Sequence, residues 1–203
     1  MVLESALIPW LQRGNQRRAV ARSLVGIMTG TQLWHQARLH APRINLRDVR
    51  AILRQLETQT LVRCINPEAT SGRLFCVTPV GRVVFDQTFE RSSAMPSLPE
   101  GVFPWQLSFL FRGHVRQAVF RAVCEPPLGK PLEQSATSIK RQLRETCPLT
   151  LNQTIRALRE LEHAQLIHSV DPVCRRHLYL PTPEAIRLAA YLDRTPLPAR
   201  ATR

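Results

Sequence analysis

The chain is short of acid. It carries 15 Asp and Glu against 28 Lys and Arg, for a formal net charge of +13 and a pI near 11.2. It is almost without lysine too, since Lys130 and Lys140 are the only two. Long apolar runs are missing: no stretch approaches the roughly 20 residues of a membrane span. Residues 1–11 hold Glu4 and no basic residue, so a secretory signal is not expected. The five cysteines, Cys64, Cys76, Cys124, Cys147 and Cys174, form no Cys-x-x-Cys pair and no regular framework. That pattern fits reduced thiols in a cytoplasmic protein. A glycine-rich phosphate loop, a His-Glu-x-x-His pair and paired carboxylates at a plausible site are all lacking, so no enzyme activity, cofactor or metal is expected. Cys174 to His177, with His163 and His168 upstream, lacks the second cysteine pair a zinc site needs.

What remains is an arginine-rich chain whose charge points to a polyanion. A GC-rich coding sequence also raises arginine at the expense of lysine, but it does not create a net charge. Arginine brings a planar fork suited to phosphates and guanine edges.

One stretch is used twice. Leu46-Arg47-Asp48-Val49-Arg50-Ala51-Ile52-Leu53-Arg54-Gln55-Leu56-Glu57, then Leu61-Val62, corresponds to Leu151-Asn152-Gln153-Thr154-Ile155-Arg156-Ala157-Leu158-Arg159-Glu160-Leu161-Glu162, then Leu166-Ile167. Leu158 follows Leu53 by 105 positions, and the other matches keep that offset. Leu46, Val49, Ile52, Leu53 and Leu56 fall at helical spacing, with Arg47, Arg50, Arg54 and Gln55 on the other face. Each helix is followed by a β-prone run, a turn and a second β-prone run. In the first copy the turn spans Asn66 to Gly72, which centres the hairpin near Thr70; in the second it spans Asp171 to Arg176. Thr78-Pro79 and Thr182-Pro183 then each open another helix, with threonine at the cap and proline at the first position.

The matches continue upstream. Arg112 to Val119 echoes Arg13 to Val20 at an offset of 99, and Pro104-Trp105 echoes Pro9-Trp10. The offset grows before the third helix, so the second copy holds its extra residues within Cys124 to Ser135. The expected helices of the first copy are a leading one in residues 1–15, then Gln16–Val25, Thr31–His40, one capped by Asn45, and Pro79–Phe89 with Val80, Val83 and Val84 inward. Those of the second copy include Ala136–Thr146, one capped by Thr150, and Pro183–Leu192. Expected domains are 1–90 and 104–194, joined by a Ser- and Pro-rich linker at 91–103 and followed by a disordered basic tail, 195–203.

Two helices, a third, a hairpin and a closing helix is the order of a winged helix-turn-helix. Each copy resembles the winged-helix transcriptional regulators of the MarR and ArsR kind. The resemblance rests on Leu-x-x-Leu-Glu followed by Leu-Val or Leu-Ile, on the turn, and on Leu74-Phe75-Cys76-Val77-Thr78-Pro79-Val80-Gly81-Arg82. One departure is Thr60 and Gln165, where those families carry glycine; a different helix ending is expected there. The fold class expected is α+β, mainly α with small β-hairpins, as two tandem winged helix-turn-helix domains.

The resemblance implies duplex DNA as partner, with the third helices in the major groove and the hairpins on the backbone or minor groove. Arg47 and Arg50 then suit guanine edges and Arg54 a phosphate, with Asn152, Gln153, Arg156 and Arg159 on the equivalent face of the second copy. Arg73, Arg175 and Arg176 lie at or beside the hairpin tips. Asp48 is unhelpful beside phosphates unless it orients an arginine or accepts from cytosine. Arg17, Arg18, Arg22 and Arg38 serve phosphates or simply solubility. Trp34 is expected in the first core. Trp10, Trp105, Phe103, Phe109, Leu110 and Phe111 stand outside the trihelical cores, which makes Phe103 to Phe111 a candidate homodimer or partner seam, with core packing the default. Cys64 and Cys76 lie near each other in the hairpin, where half-buried inert thiols compete with a redox switch. The rival to a regulator is a tandem winged-helix interaction module of a larger machine, such as one for replication or transposition, without its own sequence choice.

Overall fold

The computed structural model describes residues 2–90, 97–129, 131–170 and 177–194. Among them are ten helices and two small antiparallel sheets of three strands each, a mixed α and β architecture. The chain divides into two compact units, the first up to Ser97 and the second from Leu98 to Leu192. The hairpin tip at 171–176, most of the expected linker (91–96) and the tail at 195–203 lie outside the described residues. Residues 97–103 lead into the second unit, with Val102 buried.

The first unit runs α1 (Val2–Gln12), α2 (Asn15–Ser23), β1 (Met28–Thr29), α3 (Gly30–Ala37), α4 (Leu46–Thr58), β2 (Val62–Cys64), β3 (Leu74–Val77) and α5 (Pro79–Phe89). The second has the same order: α6 (Pro104–Phe111), α7 (His114–Cys124), β4 (Gln134–Ser135), α8 (Ala136–Gln142), α9 (Leu151–His163), β5 (Ile167–Ser169), β6 (Leu178–Pro181) and α10 (Pro183–Arg194). Each sheet places the last strand between the other two, β1-β3-β2 and β4-β6-β5. The two-residue strands β1 and β4 stand where only a turn is expected from the sequence; two residues are too few to show a period.

Local chemistry sets the helix starts. Asn45 caps α4 by accepting from the Asp48 N–H at 2.9 Å, and the Asp48 carboxylate accepts from the Asn45 N–H in return. Thr150 and Gln153 repeat that capping box on α9, and Thr78 caps α5 by accepting from Gly81 N–H. The apolar stripe of α4, Val49, Ile52, Leu53 and Leu56, is buried; α9 buries Thr154, Ala157, Leu158 and Leu161. In α5 the buried positions are Gly81, Val84 and Phe85, whereas Val80 and Val83 are exposed. The inward face is therefore rotated from the expected one. Burying Phe85 alone is worth about 2–3 kcal/mol.

The leading helix is core. Leu7 and Leu11 of α1 join Val20, Leu33, Leu56 and Phe85 in one buried cluster, against which Trp10 packs. In the second unit α6 packs on α7 with Leu107 and Leu110 buried, and Gln106 donates from its amide to the Ala164 carbonyl at 3.2 Å. The Phe103 to Phe111 segment is thus mostly interior, and only Phe103 and Trp105 remain exposed among its aromatic groups.

The exits of α4 and α9 correct an expectation. Thr60 has φ 57° and Gln165 has φ 56°, so both helices end in a left-handed residue although neither is glycine. The turn lets Leu61 N–H reach the Leu56 carbonyl and Leu166 N–H the Leu161 carbonyl. The hydrogen-bonded ending requires the conformation and the side chain tolerates it, because both are exposed.

Cys64 and Cys76 sit on opposite faces of the sheet. The register pairs Arg63 with Cys76 and Cys64 with Phe75, and side chains alternate along a strand. This excludes the disulfide switch within the hairpin; both are free thiols.

Two predictions follow from the helix exit. A left-handed L-residue costs about 1–2 kcal/mol and glycine's own entropic penalty is about 0.5–1 kcal/mol, so Thr60→Gly and Gln165→Gly should each raise stability by about 0.5–1 kcal/mol. Thermal melts showing a lower Tm in both variants would overturn this. In contrast, a Cβ on Gly81 would sit 1.9 Å from the Leu61 carbonyl oxygen. Gly81→Ala should therefore cost about 1–3 kcal/mol, read from a urea titration; an unchanged midpoint would show that α5 does not press on that carbonyl.

Candidate nucleic-acid interface

The first unit brings three of the predicted arginines together. Arg50 and Arg54 on α4 and Arg73 on the β2–β3 hairpin line one cleft of about 400 Å³. The N-terminus of α3 (Thr29, Gly30, Thr31) and the turn residues Thr70, Ser71 and Gly72 complete it. The position of each side chain traces to local sequence. Arg50 and Arg54 lie one helical turn apart opposite the apolar stripe, so the stripe's burial turns them outward. The hairpin fold places Arg73 beside them. Arg47 is exposed on the same helix, outside the cleft lining. The side chains of Arg47, Arg50 and Arg54 have no hydrogen-bond or ion-pair partner among the described residues. The open guanidinium donors of Arg50 and Arg54, with Arg73 and the α3 N-terminus in the same cleft, are chemically suited to anionic oxygen.

Arg73 does a second job. Its Nε donates to the Ala69 carbonyl at 3.2 Å and its Nη2 to the Pro67 carbonyl at 3.0 Å. Asn66 closes the same turn, with its side-chain oxygen accepting from Leu74 N–H at 2.6 Å and its amide donating to Gly72. The arginine therefore holds the turn's shape while its remaining donors face the cleft.

The equivalent face of the second unit is chemically different. Asn152 and Arg159 are exposed on α9. The Gln153 side-chain oxygen is used in the capping box, leaving only its amide N–H groups for another partner. Arg156 donates through Nε to Glu160 at 3.0 Å, and Glu160 also takes the Arg116 guanidinium at 2.6 Å. The Arg116 hydrogen bond holds the Glu160 carboxyl below its ordinary range, against a smaller opposing effect of burial and with help from Arg156. Arg175 and Arg176 lie outside the described residues.

Several charged groups prove to be engaged within their own unit. Arg17 donates to the Trp10 carbonyl at 2.7 Å and to the Gln55 side chain, and it stacks 3.8 Å over the Trp10 ring. Arg116 repeats this in the second unit: it donates to the Phe109 carbonyl and to Glu160, and it stacks 3.7 Å over the Phe109 ring. The counterpart of Trp10 is thus Phe109, at the same offset of 99 that relates Arg17 to Arg116, and not Trp105. Arg38 lies 5.4 Å over Trp34, whose indole N–H donates to the Ile44 carbonyl at 2.9 Å. Asp48 closes the capping box of α4. Its role was legible in the spacing Asn45-x-x-Asp48, as that of Gln153 was in Thr150-x-x-Gln153. Nothing local in the sequence marks Arg17 or Arg116, because their partners on α4 and α9 lie 38 and 44 residues away.

Truncation separates the two kinds of arginine. Arg17→Ala and Arg116→Ala should each destabilise by about 1–3 kcal/mol, since each strands a charge-assisted hydrogen bond and uncovers a ring. Arg47→Ala and Arg54→Ala should stay within about 0.5 kcal/mol of the parent. The Glu160 contribution is present above the ordinary carboxylate pKa and is lost as pH falls through its lowered folded value. The Arg116→Ala penalty should accordingly shrink in acid, measured by melts from neutral pH downward; a penalty independent of pH would remove Glu160 from the account.

In comparisons with known proteins, no family model matches the chain, and no curated protein or solved structure gives a significant match.

Proposed function

We propose that the chain is a DNA-binding transcriptional regulator built from two tandem winged helix-turn-helix units, each similar to the MarR and ArsR kind. The observation that carries this reading is the cleft where Arg50, Arg54 and Arg73 converge between α4 and the hairpin. In this reading α4 is the recognition helix and β2–β3 the wing. Arg47 and Arg50 address base edges in the major groove, Arg54 takes a phosphate, and Arg73 sets the wing against the backbone. The net charge of +13 supplies the non-specific attraction such a protein needs. In the second unit, α9 offers Asn152 and Arg159, so the two units suit unlike half-sites. Phe103 and Trp105, exposed at α6, are the groups through which a homodimer or partner contact would run.

A second reading has its own support. Glu160 engages Arg156, which lowers the free positive charge on the α9 face. That favours a division in which the second unit serves assembly with a larger nucleic-acid machine and does not read sequence.

Duplexes selected from a random library, and scrambled versions of them, test both readings in binding titrations across a salt series. A specific site should bind at least about 10³-fold tighter than its scrambled form. Arg50→Ala should cost roughly 1–3 kcal/mol on the selected duplex, whereas Arg156→Ala should cost less because its guanidinium is already committed. Arg73→Ala should weaken selected and scrambled DNA alike. A ratio near one would reject the regulator in favour of the assembly module.

A further inference from the structure

A second basic surface on the first unit shares no lining residue with the arginine cleft. It is an open groove of about 980 Å³ between α2, the connection from α3 to α4, and the end of α5. Arg18 and Arg22 stand one helical turn apart along its α2 wall, and Arg43 faces them from the connection. Glu90 is the one carboxylate among the described lining residues. Arg18 makes a 3.3 Å bond to Asn15, and Arg22 and Arg43 have no partner among the described residues. The groove also has an apolar side. Leu39 is 75% exposed there, and Phe89 is half-buried against Phe85 at a ring separation of 6.1 Å.

Two of these arginines are not part of the repeat: at the offsets relating the two units, Arg18 corresponds to Gln117 and Arg43 to Pro148, whereas Arg22 corresponds to Arg121. An exposed leucine beside three cations with a single opposing carboxylate is poorly suited to water alone. Nor does it suit a DNA backbone, which is convex, uniformly polar and offers nothing to Leu39 or Phe89. The dimensions fit an extended peptide. Arg18 and Arg22 are about 6 Å apart along the helix axis, close to the roughly 6.6 Å between alternate side chains of a strand.

We propose that this groove docks an acidic, apolar-interleaved peptide segment of a protein partner. Carboxylates at alternate positions pair with Arg18 and Arg22 on the α2 wall, the intervening Leu or Phe points to the facing wall and covers Leu39, and the peptide's terminal carboxylate reaches Arg43. Arginine favours this partner because its fork donates two parallel hydrogen bonds to a carboxylate.

The test uses the full chain and a fluorescein-labelled ten-residue peptide alternating Asp or Glu with Leu or Phe, followed by anisotropy. Two control peptides replace either the acids or the apolar residues with serine. The interleaved peptide should bind at least tenfold tighter than both controls. Arg22→Glu with Arg43→Glu should weaken it more than tenfold and Leu39→Ser several-fold, with melting temperatures unchanged and, for the charge-neutral Leu39→Ser, duplex-DNA affinity within twofold of the parent. All three positions line the surface, and Arg43→Glu alone serves if the double variant melts early. Equal binding of the apolar-free peptide would reduce the groove to a general anion sink and overturn the proposal. So would variants that lose duplex DNA instead of peptide, which would make it a nucleic-acid face, or variants that lose neither.

Discussion

Leu61 fixes where everything else in the first unit can go. Its N–H closes the end of α4 on Leu56, its carbonyl accepts from Thr78 N–H at 3.0 Å, and its side chain is fully buried. Gly81 of α5 lies against the same carbonyl, with no room for a Cβ. One residue thus ties the third helix, the start of the hairpin and the closing helix at a single point. Leu166 repeats the arrangement, accepting from both the N–H and the hydroxyl of Thr182. The angle between helix and hairpin follows, and with it the width of the cleft holding Arg50, Arg54 and Arg73. The left-handed backbone at Thr60 and Gln165 is the local cost of that tie.

A second constraint is the arginine that clamps the leading helix. Arg17 and Arg116 each bind a carbonyl near the end of the preceding helix, cover an aromatic ring, and reach the third helix of the same unit. Each guanidinium is held within its own unit, where it orients α1 or α6 against the core. That engaged charge is less available to a partner than the net charge suggests. In the first unit exposed arginines remain on α4 and along the α2 groove, and the second keeps Lys140, Arg141, Arg144, Arg156 and Arg159 exposed.

Much of this was legible in the sequence. The caps at Asn45, Thr78 and Thr150 announce themselves by residue type, and the apolar stripes of α4 and α9 follow a 3.6-residue period over three turns. The hairpin register pairs Val62 with Val77, which centres the turn near Thr70 as its Asn-Pro and Ser-Gly signals imply. The rest depends on contacts far apart in the chain. The short strands β1 and β4 exist because β3 and β6 offer them open edges. The inward face of α5 is set by the approach of Gly81 to Leu61, which favours Phe85 over Val83. Arg73 shows the limit at the site: its placement was readable, but its hold on the turn carbonyls was not.

The third-helix partner of the clamp differs between the units: Gln55 in the first, Glu160 in the second. Gln55 has no proton to gain or lose, so the α4 face keeps one electrostatic character at any ordinary pH. Glu160 lies one helical turn beyond Arg156 on α9 and pairs with it as well as with Arg116. A single position on the third helix thereby sets how much charge its face presents. The two faces can diverge in what they recognise by exchanging an amide for a carboxylate at that one surface position.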